Sequence, residues 1–432
     1  MNLITLSWKN IIHRPLSLAL TLVLFALGVG LIAFLFVVNK QIEDKFEKNL
    51  AGIDIVLGAK GSPLQLVLCN MYHIDAPTGN IPIQSIRAFF NPEHPLIKDA
   101  TPLSIGDSYK GFRIVGTTRS FVELYALEIA AGDWWEHDFD VTIGPEVARR
   151  LNLKLGDQFQ STHGLLQDEN LTHEESHAFR VTGIMASSGT VADQLILTNT
   201  QSIWAVHDHE NEESAHQEES AHQEESAHQE ESAIDPDAPH FTNASLLEHP
   251  DQDITSLLIR FKARNYQALN MARNINENTD LQAATPAIEI NRLFSLMGVG
   301  MDALKTLGWL IAIVSGLSIF ISLYGSLKDR KYELALMRVQ GASPGKLFSM
   351  IILEGCLLAI AGYLLGILLA HVAMYFLTDY LENAYRYPFK PWQWVREEGW
   401  LALGALVIGL FAALIPAWQA YRTELSRTLA EG

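Results

Sequence analysis

The sequence predicts an α-helical membrane protein with four transmembrane helices and a large α+β domain inserted between helices 1 and 2. Four apolar runs, nearly free of charge, are each long enough to cross a hydrocarbon core of about 30 Å at about 1.5 Å per residue. A long acidic segment separates the first two runs. That segment mixes strand and helix patterns. The predicted spans are residues 15–38, 307–327, 348–377 and 399–418.

The N-terminal residues 1–14 predict an amphipathic helix on the cytoplasmic membrane surface. Within LITLSWKNIIHR, a helix places Ile4, Trp8 and Ile11 on one face, and Lys9 lies away from it. The alternative is an extended start of the first span. Pro15 then opens that span, where its missing N–H does no harm.

Charge sets the predicted orientation. Lys and Arg concentrate near the N-terminus, in the loop 328–347 and in the tail 419–432, so we expect these parts in the cytoplasm. The segment 39–306 and the short loop 378–398 then lie outside. Residues 40–306 hold 19 Lys and Arg against 40 Asp and Glu. This acidic balance argues against a nucleic-acid partner, whose phosphates need basic side chains.

Short runs of β-branched residues closed by glycine predict strands at 53–57 and 112–116. Residues 145–160 predict a helix, a Gly-Asp turn and a strand, and 265–278 predict a further helix. An α+β domain fits this mixture. Residues 286–306 keep a rough helical period into the second span, which predicts a stalk helix. Cys69 and Cys356 fall in different regions, so no disulfide is expected.

A repeat within the insertion 205–240 reads EESAHQ three times and then EESA, at residues 212–233. Imidazoles beside carboxylates suit Zn²⁺ or Ni²⁺, and one interpretation is a weak zinc-binding loop. The alternative is a low-complexity spacer with no apolar residue larger than alanine. The candidate metal ligands are His207, His209, His216, His222 and His228.

Catalytic motifs are not found in the sequence, and we expect no enzyme activity. The stretch GASPGK at 341–346 has the wrong glycine spacing for a phosphate-binding P-loop and Leu347 where Ser or Thr would hold Mg²⁺. The Gly-rich turn at 56–64, which contains Lys60, is weak evidence for an anion site. Gly362 and Gly366 form a GxxxG pattern, which suits helix packing within the bundle or in a dimer.

The loop RKYELALMRVQGASPGKL and the outer segment resemble the FtsX-like permeases of the MacB and LolC/LolE type of ABC transporter. The segments GPEVARRLNLKLGDQFQ and FRVTGIMASSGTVADQLILTNTQSIW resemble the MacB-type periplasmic core domain. The resemblance implies that the loop is a coupling helix that docks on an ATPase. The positions it assigns to coupling are Arg330, Glu333, Leu334, Leu336, Met337, Arg338, Gly341, Ala342 and Ser343.

The resemblance also implies partners and a location. ATP and Mg²⁺ would be bound by a separate cytoplasmic ABC ATPase, so we expect no cofactor in this chain. A second permease copy or a paralogue would complete a dimer, and a periplasmic adaptor or lipoprotein is a further partner. The location would be the bacterial inner membrane. Two features depart from the family pattern: the His/Glu insertion and the lack of a fused ATPase domain.

Besides a permease that is coupled to a separate ATPase, two other functions stay open at this point. One is an FtsX-type scaffold that regulates a periplasmic enzyme, and the other is a zinc-linked transport complex. The cargo is not determined by the sequence: lipoprotein, lipid, peptide, drug and metal are all compatible with it.

Overall fold

The computed structural model describes residues 15–163, 178–206, 242–263, 265–385 and 389–422. The chain divides into two compact units. The helical unit comprises Met1–Asp44 and Ser295–Gly432, and the sheet unit comprises Lys45–Phe294. The predicted N-terminal helix 1–14 and most of the tail 419–432 lie outside the described residues.

Four long helices in the described part of the chain are apolar enough to cross a membrane. In chain order they are Pro15–Leu50, Pro286–Asp329, Pro344–Tyr385 and Arg396–Tyr421. The first runs past the predicted end of its span, from 38 to Leu50. The second is one continuous helix of 44 residues, so the residues predicted as stalk and span form a single element. Proline is the first residue of the first three helices. A backbone N–H at this position would have no partner within the helix, so proline loses no hydrogen bond there.

The bundle is close-packed where small residues meet. A Cβ added to Gly30 would lie 2.9 Å from the carbonyl oxygen of Gly366, which brings the first and third long helices together. A Cβ added to Gly355 would lie 2.9 Å from the carbonyl oxygen of Gly409, and this joins the third helix to the fourth. Larger buried side chains, including Phe25, fill the space between these contacts. Close backbone approach of this kind is typical of membrane helix bundles.

The sheet unit contains the strands and the shorter helices. Its strands are β1 Ile55–Ala59, β2 Ile81–Pro82, β3 Ile97–Tyr109, β4 Phe112–Thr117, β5 Ile129–Gly132, β6 Asp140–Ile143, β7 Gln158–Phe159, β8 Thr162–His163, β9 Phe179–Met185, β10 Ile196–Thr198, β11 Asp253–Ile254, β12 Ser256–Phe261 and β13 Leu281–Ala284. Its helices are Pro63–Tyr72, Ile83–Ile86, Arg119–Leu124, Pro145–Leu151, 200–206, Asn243–Leu246 and Tyr266–Asn278, with 3-10 turns at Arg87–Phe90 and Val191–Gln194.

Among the described residues, eleven strands form one mixed sheet in the order β13-β1-β12-β3-β4-β10-β6-β9-β5, with β7 on β9 and β8 on β3. β1 is antiparallel to β12 and β13, whereas β10 pairs in parallel with β4 and β6 with β9. Strands β2 and β11 form a separate pair. The α+β class predicted from the sequence is therefore correct.

Side chains from both faces of the sheet are buried, which explains why the strands read as unbroken apolar runs. Along β1, Val56 contributes to one core cluster, while Ile55 and Leu57 contribute to another. Successive side chains of a strand point to opposite faces. Helices such as Pro63–Tyr72 and Tyr266–Asn278 supply residues to these clusters, Leu66 and Ile275 among them.

The Gly-rich turn after β1 has a structural task. Lys60 Nζ donates hydrogen bonds to the carbonyl oxygens of Asn276, Thr279 and Leu281, at 3.0, 2.8 and 3.1 Å. These carbonyls lie at the C-terminal end of the helix Tyr266–Asn278 and beyond it, where a cation is favoured. The three donor positions of this ammonium group are thus used within the fold, and the idea of an anion site here loses its support.

Candidate functional site: the short helix between the second and third long helices

The coupling segment predicted from the sequence contains a short helix, Lys331–Val339, between the second and third long helices. Arg330 precedes it, and its Nε donates to Glu333 Oε2 at 2.9 Å across the first turn. Glu333 is an acidic residue in the first turn, and Arg338 is a basic residue in the last. Both positions complement the helix dipole.

The C-terminal end of this helix explains the Gly-Ala-Ser part of the pattern. Gly341 has φ +99°, a backbone conformation that favours glycine. Gly341 N donates to Arg338 O at 3.1 Å, and Ala342 N donates to Met337 O at 3.0 Å. These two bonds form a Schellman motif, which ends the helix. Ser343 O then accepts from Leu347 N at 3.4 Å, and the third long helix begins at Pro344.

One face of the short helix is fixed to the chain's own long helices. Leu334 is 2% exposed, and the neighbouring Ala335 is also buried. Met337 is partly buried against the same cluster. The buried members of this cluster come from the second, third and fourth long helices: Leu327, Leu347, Met350, Ile351, Ala417 and Ala420.

The opposite face carries an exposed apolar stripe. Tyr332, Leu336 and Val339 are exposed, and their spacing of four and three residues places them on one side of the helix. Of the apolar coupling residues predicted from the sequence, only Leu336 lies on this stripe, since Leu334 and Met337 face inward. Sequence reasoning missed Tyr332 and Val339. The spacing of apolar residues would have found them if both faces had been considered.

The GxxxG pair lies inside the bundle. A Cβ on Gly362 would lie 2.6 Å from Phe25 Cδ1, and a Cβ on Gly366 would lie 2.9 Å from Ala26 O, both atoms of the first long helix. Both glycines therefore face a helix of the same chain.

The five candidate metal ligands, His207, His209, His216, His222 and His228, lie outside the described residues, so zinc binding there stays a prediction. Among the residues that the structure describes, no group of three or more His, Cys, Asp or Glu side chains is placed to hold a metal ion.

A buried polar cluster in the sheet unit surrounds Arg113. Arg113 Nε donates to His73 O at 3.1 Å, its Nη2 donates to Asp75 O, and its Nη1 lies 4.0 Å from Cys69 Sγ. Burial, and then the charge of Arg113, lower the pKa of His73 to about 3. Burial raises the pKa of the Cys69 thiol to about 11. A neutral thiol is a poor nucleophile, so the raised pKa gives no support to Cys69 as a catalytic residue.

Comparison with protein families identifies the chain. A model described as the FtsX-like permease C-terminal region matches residues 305–425, which include the short helix and the last two long helices. A model described as the MacB-like periplasmic core domain matches residues 18–224. The chain is an FtsX-like ABC transporter permease with a MacB-like periplasmic core domain. This family is a non-catalytic membrane component. The apolar helices and the MacB-like periplasmic core domain indicate a membrane protein with an extracellular domain.

Solved structures similar to this permease include the periplasmic region of MacB from Actinobacillus actinomycetemcomitans, at 11% identity and a TM-score of 0.31, covering 58% of this chain and 97% of that one. Another is the extracellular domain of the noncanonic ABC-type transporter YknZ from Gram-positive bacteria, at 10% identity and a TM-score of 0.28, covering 54% and 99%. No curated protein matches the permease.

Proposed function

We propose that this permease is the transmembrane subunit of an ABC transporter, and that a separate cytoplasmic ATPase drives it through the short helix Lys331–Val339. Energy from ATP would become conformational work by the sheet unit in the periplasm. The location would be the bacterial inner membrane, with both termini in the cytoplasm, in agreement with the distribution of Lys and Arg. A second permease copy or a paralogue would complete the membrane assembly.

The observation that carries this proposal is the two-sided character of the short helix. Its inner face is anchored through Leu334, while Tyr332, Leu336 and Val339 are exposed. Apolar side chains at i, i+4 and i+7 are the anchors that a partner's hydrophobic groove binds when it accepts a helix. The family normally works with a cytoplasmic ABC ATPase, and this supports an ATPase as the partner.

The anchored face also explains how force on one short helix would reach the bundle. Leu334 lies in one buried cluster with Leu327 of the second long helix, Met350 of the third and Ala417 of the fourth. Close-packed interiors transmit displacement rather than absorbing it. Pressure on the exposed stripe would therefore shift the adjoining ends of three long helices together.

The proposal is tested by purifying full-length permease through an affinity tag and measuring the ATPase that accompanies it. Leu336→Asp places a charge in the exposed stripe, and we expect it to remove most of the bound ATPase and its ATP hydrolysis. Leu269→Asp is the matched control, since Leu269 is an exposed leucine on a helix of the sheet unit. It should leave both quantities unchanged.

Two results would contradict this function. One is full ATPase retention and stimulation by the Leu336→Asp variant. The other is ATP hydrolysis by the purified permease without a partner.

A further inference from the structure

The segment between the third and fourth long helices is held by specific polar contacts. We call residues 389–395 the connecting loop. Gln41 of the first long helix donates from Nε2 to Lys390 O and accepts from Lys390 N at Oε1, both at 2.8 Å. Gln393 Nε2 lies 3.4 Å from Asp44 Oδ2. Because Gln41 is buried, its two hydrogen bonds tie the connecting loop to the first helix.

The third and fourth helices hold the same loop through a buried histidine and a buried glutamate. His371 and Glu398 are each 1% exposed. His371 Nδ1 lies 2.8 Å from Pro391 O, and its Nε2 lies 3.2 Å from Glu398 Oε1. The imidazole stacks on Trp392 with centroids 5.4 Å apart, and Trp394 lies 5.3 Å away.

These contacts determine where hydrogen must lie. A carbonyl oxygen can only accept, so His371 Nδ1 must carry a hydrogen and donate it to Pro391 O. A neutral imidazole with hydrogen on Nδ1 presents a lone pair at Nε2. An ionised carboxylate presents only lone pairs as well. Two such acceptors 3.2 Å apart would repel, so this approach is favourable only when one of the two groups carries a further proton.

We propose that His371 and Glu398 form a buried proton-binding site, and that the bound proton keeps the connecting loop closed against the first and third long helices. With the proton present, the pair has no net charge, whether the proton lies on nitrogen or on oxygen. Its loss would leave a buried carboxylate facing a lone pair, which is strongly unfavourable. Rotation of the imidazole would relieve this repulsion and would break the hydrogen bond to Pro391.

The charged and titratable groups around the pair come from each neighbouring element. Tyr363 of the third helix donates from its hydroxyl to Glu398 O at 3.2 Å. Arg396 and Glu397, in the first turn of the fourth helix, are exposed to solvent. Lys390 of the connecting loop is exposed, and Lys40 and Asp44 of the first helix form their own ion pair at 2.9 Å. Of the second helix, Lys305 lies over the ring of Phe36, 5.9 Å from its centroid.

None of these neighbours supplies a hydrogen to the gap between the two side chains. Tyr363 uses its hydroxyl on the backbone of Glu398. His371 Nε2, Glu398 Oε1 and Glu398 Oε2 form no hydrogen bond with any of the described residues. The 3.2 Å approach of Nε2 to Oε1 is an ion-pair distance. A proton on Nε2 or on Oε1 is therefore the means by which pH would act on this site.

Release of the connecting loop would change what the bundle can do. In the closed form, Gln41 joins the first long helix to the segment that links the third and fourth. Once the loop has opened, the first helix would be free of this restraint. Protonation of the site would thus restrict the motion of the first long helix, independently of what drives the permease.

The experiment uses full-length permease in detergent with both native cysteines changed to alanine and Val395→Cys introduced. Val395 is 9% exposed in the connecting loop and packs with Val37 and Met374, so a closed loop protects it. Labelling of the introduced cysteine by a polar maleimide is measured from about pH 6 to about pH 10. The labelling rate is set by the fraction of molecules in which the connecting loop is open.

Glu398→Gln is the matched variant, because the side-chain amide can donate a permanent N–H to His371 Nε2. The ratio of labelling rates between the reporter protein and its Glu398→Gln form cancels the intrinsic pH dependence of the thiol. We expect this ratio to rise about tenfold or more at high pH, since the amide keeps the loop closed. A constant ratio would overturn the proposal.

A spectroscopic measurement on the unmutated protein keeps the proposal testable if Glu398→Gln does not fold. With ¹⁵N-labelled histidine, the resonances missing from a His371→Phe variant identify the His371 ring. We expect Nδ1 to stay protonated while Nε2 changes its shift in a pH titration. A ring protonated permanently on Nε2, or one unaffected by pH, would refute the assignment.

Discussion

Gly366 of the third long helix lies directly against Gly30 of the first: a Cβ on Gly30 would approach Gly366 O to 2.9 Å, and a Cβ on Gly366 would approach Ala26 O to 2.9 Å. Backbone meets backbone here, so no side chain can move aside. The contact fixes the distance between two helices that also share a buried cluster around Phe25.

Gly366→Leu should therefore destabilise the bundle by about 1–3 kcal/mol or more, as overpacking does in a filled core. Gly298→Ala is the control, because Gly298 lies in the second long helix with nothing within 4 Å of an added Cβ. It should raise stability slightly, by about 0.5–1 kcal/mol, through helix propensity. Thermal unfolding of the full chain in detergent measures both, and equal midpoints would contradict the close contact.

The end of the first long helix is fixed within the sheet unit by Asn49. Its Oδ1 accepts from Val191 N at 2.7 Å, and its Nδ2 donates to Lys45 O at 3.0 Å. Asn49→Ala would leave a buried N–H without a partner, at a cost of about 1–3 kcal/mol. We expect faster hydrogen exchange at Val191 and its neighbours. Asn278→Ala removes an exposed side-chain contact to Asn274 and should have no such effect.

Acid should weaken the sheet unit through His73. Because burial and the charge of Arg113 lower its pKa to about 3 in the folded protein, only the unfolded chain takes up a proton as pH falls from about 6.5. The free energy of unfolding should then fall with pH by up to about 1.4 kcal/mol per unit from this group. The pH dependence that His73 adds to the free energy of unfolding ends only below about pH 3.

His73→Asn tests this without straining the backbone, since His73 has φ +53° and asparagine tolerates that conformation. Denaturant unfolding of the full chain at about pH 7 and about pH 4 should show a smaller loss of stability in the variant. Identical losses in the two proteins would show that His73 does not contribute.

Gly341 should matter more than Gly345, although both belong to the coupling segment. Gly341 has φ +99°, so an alanine there is strained by about 1 kcal/mol, whereas Gly345 is helical with open space around it. Gly341→Ala should loosen the end of the short helix and reduce stimulation of the bound ATPase. Gly345→Ala should preserve both the end of the short helix and the stimulation of the ATPase. Equal ATPase rates in the two variants would show that the Schellman turn is not needed for coupling.

The sequence was sufficient to predict those features of the fold that depend on a local pattern of residues. Hydropathy alone places four apolar helices, because crossing a hydrocarbon core requires length and apolar composition within one segment. Short β-branched runs likewise predicted β1 and β4. The order of the sheet could not be read in this way, because β1 pairs with β12, some 200 residues later in the chain.

The orientation of the short helix shows why the candidate site was only partly predicted. Leu334 and Met337 lie on one face, and Tyr332, Leu336 and Val339 on the other, so both faces are apolar. Periodicity finds such a helix but does not say which face its own chain covers. The contact between His371 and Glu398 was missed for a similar reason, since nothing local relates a histidine to a glutamate of the next helix.

The continuous helix Pro286–Asp329 has one more consequence, which concerns how this protein can change over evolutionary time. Its 44 residues extend about 66 Å, roughly twice a hydrocarbon core. Inserting one residue would turn everything beyond it by about 100° and misalign every contact on the far side. We therefore expect relatives to differ in length at insertions such as the EESAHQ repeat, while this helix keeps its residue count.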